Sequence, residues 1–207
     1  MNKKEFKNLN FSTALEYFKN TINLTVLGEN NLTGKYIICG NHNSHIDTIV
    51  IILGLIKLGI NIDDLEALAG IEVIEKYNNF TNGFKCIPVD RKHNPLQAIK
   101  DVEEKLQGKI IIFPEGTRSK TGKLGKIKSG AGQISYDLNI PILPVYIKGA
   151  FECWSRFDDM PTKNNNIIIE FLKPIYPDNK NRKIITKELE DILKDRENFY
   201  LKKGEKN

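Results

Sequence analysis

Short runs rich in isoleucine, valine and leucine alternate along this chain with segments whose apolar positions recur every three or four residues. That alternation constrains the fold more than any other feature. Strand–helix–strand units build a sheet that is at least partly parallel, with helices packed on its faces. Strands are expected at Asn23–Leu27, 36–39, 85–89, 109–113, 142–147 and 167–172. Phe11, Ala14, Leu15, Phe18 and Ile22 share one face of an amphipathic helix with Ser12 near its start. Ser44-His45-Ile46-Asp47 fits a capping box ahead of the apolar stretch 49–58, so a buried helix begins near Ser44. Asn94, Pro95 and Gln97 supply the N-cap, N1 and N3 of a helix over 95–107, with Gly108 where a C′ glycine belongs. Gly130–Leu138 and a charged tail over 184–201 are further helices. The fold class is α/β: a single domain with a mixed, largely parallel sheet flanked by helices.

With 207 residues, 40% of them hydrophobic and 28% charged, the chain is long enough to bury a core unaided, and disorder is excluded. Cys39, Cys86 and Cys153 are odd in number and far apart, so they read as small apolar fillers in a reducing cytosol. No metal or other cofactor is implied. The longest apolar run, 49–56, falls short of the roughly 20 residues of a membrane span, and the N-terminus is polar. The expectation is a cytoplasmic chain that touches membranes without crossing them. The net charge of +5 permits phosphate, anionic lipid or nucleic acid as partners and selects none. Only five basic residues are Arg, which makes each Arg the more informative where a planar bidentate fork matters.

Ligands in α/β folds gather at the carboxyl ends of strands, and three unusual clusters fall there. In Asn41-His42-Asn43-Ser44-His45-Ile46-Asp47, His42 and Asp47 are spaced so that a carboxylate can orient an imidazole as a general base. The plainer reading is a turn histidine beside a capping aspartate. His45 is a rival base, but its helical position points it elsewhere. In Phe113-Pro114-Glu115-Gly116-Thr117-Arg118-Ser119, a Gly beside a carboxylate and an Arg permits close backbone approach to a polar ligand. From Arg118 to Lys128 there are five cations and no acid, either a solvated loop or a surface for phosphate or anionic membrane. A P-loop is excluded by the spacing of Gly116 and Gly122 and by Leu124 where Ser or Thr is required. The third cluster is 83–90 followed by Arg91, which is either a surface Arg or an anion ligand.

Together, N-H-x-S-x-x-D, G-x-x-x-I-x-x-D-R, F-P-E-G-T-R-S and the proline-centred strand Ile142-Leu143-Pro144-Val145 resemble the four-motif signature of the glycerolipid acyltransferases. These are the 1-acylglycerol-3-phosphate and glycerol-3-phosphate O-acyltransferases. The resemblance runs from about Leu24 to Tyr176. It implies a glycerol-3-phosphate (1)-acyltransferase-like fold and transfer of an acyl group from acyl-CoA or acyl carrier protein to 1-acylglycerol 3-phosphate, giving phosphatidate. It implies His42 as general base and Asp47 as its orienting partner. Arg91, Glu115, Gly116, Thr117, Arg118 and Pro144 would be substrate-binding: the two arginines on the acceptor phosphate, Glu115 and Gly116 shaping the acceptor site, and Pro144 on the acyl side. Glycerol 3-phosphate or another lysophospholipid stays open as acceptor. A segment like 149–154 also occurs in acyltransferase domains joined to acyl-activating ligases; Trp154 itself reads as core or rim.

The implied organisation is an N-terminal amphipathic helix over 1–23, an acyltransferase domain over 24–178 and a charged C-terminal helix over 179–207. Lys3, Lys4, Lys7 and Lys19 flank the first helix, which reads equally as a membrane-surface anchor on the inner face of the cell membrane and as a helix packed on the core. A binding module without chemistry is the contrasting hypothesis, which the oriented His42/Asp47 pair disfavours. Nucleic acid is not expected as a partner, because no aromatic residue interleaves the basic run 118–128. Pro88 departs from the second motif, where an apolar residue is usual.

Overall fold

The computed structural model describes residues 8–29, 31, 33–81, 83–90, 95–162 and 165–204. In chain order the elements are α1 (Phe11–Thr21), β1 (Asn23–Leu27), β2 (Tyr36–Gly40), α2 (Asp47–Lys57), β3 (Leu65–Gly70), α3 (Ile71–Lys76) and α4 (Asn78–Thr81). There follow β4 (Cys86–Val89), α5 (Pro95–Lys105), β5 (Lys109–Ile112), α6 (Gly130–Leu138), β6 (Ile142–Lys148), α7 (Ala150–Cys153), β7 (Asn166–Phe171) and α8 (Arg182–Gly204). The seven strands form one sheet in the order β1-β7-β6-β2-β5-β3-β4. Every pairing is parallel except β6 with β7.

The sheet is covered on both faces, so its inner strands are apolar throughout rather than alternating. In β2, Tyr36 and Ile38 join the core on the α2 side, while Ile37 and Cys39 face α6 and α8. Helix α2 is buried from Ile49 to Leu55, as an all-round apolar helix must be. Gly54 lets it close on the sheet: a Cβ there would stand 3.1 Å from the Phe171 ring. On the opposite face, α8 contributes Ile185, Leu189, Leu193 and Tyr200 to the core, so the charged tail is part of the domain.

Several expected details are corrected. Helix α1 starts at Phe11, beside Ser12 as expected, and its N-cap is Asn10, whose side chain accepts from Thr13 N at 2.9 Å. Its apolar face lies on the core: Ala14 and Phe18 are buried, and Phe18 stacks on Trp154. Helix α2 starts at Asp47, three residues later than Ser44, because only half of the capping box forms. The Asp47 carboxylate does accept Ser44 N, but the Ser44 hydroxyl donates to Trp154 O at 2.6 Å. Gly108 does not take a left-handed φ. It is needed because a Cβ would meet the Asp64 carboxylate at 2.0 Å. Pro88 is exposed on β4, an edge strand, where a missing N–H is tolerated. Strand β3 and the short helices α3, α4 and α7 escape the sequence reading. Cys39 and Cys153 are buried and Cys86 half-buried; burial pushes the Cys86 and Cys153 thiols up to about 11.

Candidate active site

Strand β2 lies at the centre of the sheet and delivers Asn41 and His42 just beyond its carboxyl end. Asn41 is buried and imitates a strand peptide: its side-chain amide donates to Ile147 O at 2.9 Å and its oxygen accepts Ile147 N at 2.7 Å. That pair continues the β2–β6 ladder one residue past its end and fixes where the chain turns. The next five residues curl back onto Asp47 at the first turn of α2. Its Oδ2 accepts Asn43 N at 2.7 Å, Ser44 N at 2.8 Å and His42 Nδ1 at 2.8 Å. A carboxylate only accepts, so the proton sits on Nδ1 and the lone pair on Nε2. Asp47 is fully buried, and the helix N-terminus favours its charge. The His42 imidazole stacks on Phe113, centroids 4.0 Å apart at 12°, and its side chain keeps 22% exposure. An oriented, neutral imidazole with one free lone pair and access to solvent can take a proton from a hydroxyl.

The 113–119 segment leaves β5, the parallel neighbour of β2, and meets the histidine loop from the side. Glu115 is buried, with both oxygens on backbone: Oε1 accepts His42 N at 2.7 Å and Oε2 accepts Gly125 N at 2.7 Å. Burial outweighs those bonds and pushes its carboxyl up to about 7. Gly116 turns the chain with φ +70°, and the Lys128 ammonium lies over it: a Cβ there would be 2.6 Å from Nζ. Ser119 N donates to His42 O at 2.7 Å, a second tie between the two loops. Thr117 is exposed and Arg118 half-buried.

Arg118 lies against His45, its Nη1 2.7 Å from Nε2 and in contact with Nδ1 as well. The His45 ring stacks on Trp154 at 4.6 Å, and burial followed by the Arg118 charge holds its pKa down to about 3. His45 is therefore a neutral wall beside the site.

The structure thus brings His42, Asp47, Glu115, Gly116 and Arg118 together, with Thr117 exposed beside them. Pro144 does not join them. It is buried within β6 opposite Cys39 and on the α6–α8 side of the sheet. Its carbonyl accepts Leu172 N, and its missing N–H falls beyond the end of β7, where the antiparallel ladder opens. Arg91 lies outside the described residues. The Phe113 stack and the Glu115–Gly125 bond go beyond the sequence reading; only the aromatic residue at the strand end hints at the first.

An acyltransferase family model matches residues 23–148, which include the His42–Asp47 loop and the 113–119 segment. The chain belongs to the Acyltransferase family. Among the relatives of this chain is the 1-acyl-sn-glycerol-3-phosphate acyltransferase of Cocos nucifera, 35% identical over 96 residues, which are 44% of this chain and 30% of that protein. A probable 1-acyl-sn-glycerol-3-phosphate acyltransferase of Mycoplasma pneumoniae is 26% identical over 190 residues, 86% of this chain and 71% of that one. The alignment thus spans under a third of the plant protein's length and over two thirds of the bacterial one's. The chain superposes on the crystal structure of the 1-acyl-sn-glycerophosphate acyltransferase PlsC from Thermotoga maritima with a TM-score of 0.72 and 20% identity, over 96% of this chain and 83% of that one. At that identity the match establishes the shared fold.

Among the described residues no helix is long and apolar enough to cross a membrane, and no cluster of His, Cys, Asp and Glu could hold a metal ion.

Proposed function

We propose that the chain is an O-acyltransferase that esterifies the free hydroxyl of 1-acylglycerol 3-phosphate with a fatty acyl group from acyl-CoA or acyl carrier protein, yielding phosphatidate. The observation that carries this is the His42–Asp47 contact of 2.8 Å, which leaves one imidazole lone pair as an oriented base. The names of the relatives supply the acceptor class.

In this reading His42 Nε2 takes the hydroxyl proton as the acceptor oxygen bonds to the thioester carbonyl carbon. Asp47 stabilises the imidazolium that results. The tetrahedral intermediate collapses with cleavage of the C–S bond, and the imidazolium returns its proton to the departing thiolate. The products are an ester and a free thiol, with no acyl-enzyme. Arg118, with Arg91, holds the acceptor phosphate through the bidentate geometry that favours Arg over Lys. Glu115 acts by holding the His42 and Gly125 backbones, since both its oxygens are engaged there. Gly116 and Thr117 line the acceptor site. The partners are the acyl thioester, the lysophospholipid and, peripherally, an anionic membrane on the inner face of the cell.

The test is thiol release from palmitoyl-CoA with lysophosphatidate, with the acylated product identified by mass, for wild type beside His42→Ala. Acceptor-dependent release that vanishes in the variant is expected. Equal release by both proteins overturns the reading.

A further inference from the structure

The anionic membrane surface proposed above needs a face on this molecule, and the apolar face of α1 is already spent on the core. Another face has the required chemistry. The segment after α7 carries Phe157, at 68% the most exposed large hydrophobic side chain among the described residues. It is held out by its own loop. The Asp158 carboxylate accepts Ser155 N at 2.9 Å and Ser155 Oγ at 2.6 Å, Phe157 N donates to Ser155 Oγ, and the Trp154 indole donates to Asp158 O. The loop is also tied to the catalytic one: Trp154 O accepts both the Ser44 hydroxyl at 2.6 Å and His45 N at 3.3 Å.

The basic run packs against this segment. Arg156 donates to Arg118 O at 3.1 Å, and its guanidinium lies 5.8 Å from the Phe157 ring centroid. Gly122 abuts Phe151: a Cβ there would be 3.0 Å from the ring. Lys120, Lys123, Lys126 and Lys128 are all exposed. Of the nearby acids, Glu115 is buried, Asp158 is engaged by Ser155 and Glu197 accepts Leu124 N; Glu152 and Asp159 are exposed, against six cations counted with Arg118 and Arg156.

We propose that Phe157 and the basic loop 118–128 seat the strand-carboxyl end of this domain on an anionic bilayer, with the Phe157 ring entering the headgroup boundary and the lysines on lipid phosphates. A protruding aromatic beside one guanidinium and a loop of exposed lysines fits such an interface, where apolar insertion and electrostatic attraction add. The inference rests on the acyltransferase reading for its purpose, since it brings His42 to an acceptor that resides in the membrane.

The experiment is sedimentation of the full chain with vesicles of phosphatidylcholine alone and of phosphatidylcholine with phosphatidylglycerol, at low and high salt. Wild type, Phe157→Ser, the pair Lys120→Glu/Lys123→Glu, and Phe199→Ser are compared; Phe199 is an exposed aromatic on α8. Wild type should bind only the anionic vesicles and be released by salt. Phe157→Ser should weaken binding roughly tenfold and the lysine pair by at least as much, since each cation near such a surface is worth about fivefold, while Phe199→Ser binds as wild type. No binding by wild type, or equal binding by Phe157→Ser, overturns the proposal. Transfer to a short-chain, monomeric lysophosphatidate separates the two readings, because Phe157→Ser should leave it unchanged. Phe157-dependent vesicle binding without transfer to any acceptor would sink the acyltransferase reading and leave the surface standing.

Discussion

The Glu115 carboxylate accepts the backbone N–H of His42 at 2.7 Å, joining two loops 73 residues apart in sequence. Its other oxygen accepts Gly125 N at 2.7 Å, so one buried side chain fixes both the base and the basic loop. Glu115→Ala would orphan two amides, at about 1–3 kcal/mol for each one left buried. The expected result is a lowered urea midpoint together with a fall in turnover. The carboxyl titrates near 4.5 when unfolded and near 7 when folded, so between those values the native state binds more protons. Stability should therefore decline as pH rises through that window and level off above it. Urea unfolding at about pH 5 and about pH 8 checks this; Glu115→Gln, which does not titrate, should show a flatter slope.

Asp47 serves structure and chemistry through one oxygen, and Asp47→Asn separates the two. The amide oxygen can still accept Asn43 N, Ser44 N and His42 Nδ1, so the loop should survive with a melting temperature close to wild type. A neutral amide does not stabilise the imidazolium. Turnover should fall about 10²–10⁴-fold, the usual worth of general-base assistance, with the acceptor KM little changed. A steady-state titration of lysophosphatidate gives both constants; turnover within about threefold of wild type, far short of that range, would remove Asp47 from the chemistry.

His45 makes a different demand. Burial and the Arg118 charge hold its ring neutral, so its lone pair is available to the guanidinium. His45→Phe preserves a ring to stack on Trp154 and removes the acceptor for Arg118. If the imidazole aims Arg118 at the acceptor phosphate, KM for lysophosphatidate should rise about tenfold, equivalent to roughly 1.4 kcal/mol. Turnover at saturation should hold, and His45→Gln, which restores an acceptor, should recover part of the loss. A drop in turnover at unchanged KM would instead make His45 the base.

Much of this site is legible in the sequence because its parts are local. His42 and Asp47 are five residues apart, and the 113–119 segment is continuous. What sequence does not show is the wiring between them. The bonds from Glu115 to His42 and from Ser44 to Trp154 span 73 and 110 residues, and no periodicity encodes such contacts. Strand β3 is hidden because Leu65-Glu66-Ala67-Leu68-Ala69-Gly70 has no β-branched residue; parallel pairing with β4 and β5 makes it a strand against its propensity. The capping box misplaces the start of α2 for a related reason: the Ser44 hydroxyl finds a tertiary partner in Trp154 O, and the helix begins later. Gly108 matters as its position suggests but for another cause, since the crowding comes from Asp64, 44 residues earlier.

Gly132 tests whether α8 belongs to the domain or merely follows it. A Cβ on Gly132 would stand 2.2 Å from Thr186 Oγ1 and 2.9 Å from the backbone carbonyl of Arg182, so α6 and α8 touch at this point. The Thr186 hydroxyl can rotate away, but the carbonyl cannot move without shifting the start of α8. That helix carries Ile185, Leu189 and Leu193, all fully buried, and a shift there disturbs the whole α6–α8 face. Gly132→Ala should cost about 1–3 kcal/mol by overpacking, or roughly 3–10 °C in melting temperature for a domain of this size. Helix α2, which carries Asp47, packs on the other face of the sheet, so turnover measured well below the transition should match wild type. Thr186→Ala in the Gly132→Ala background should restore only part of the stability, because the Arg182 carbonyl remains in the way. A melting temperature unchanged by Gly132→Ala would mean that α8 docks loosely and that its buried leucines contribute little to the fold.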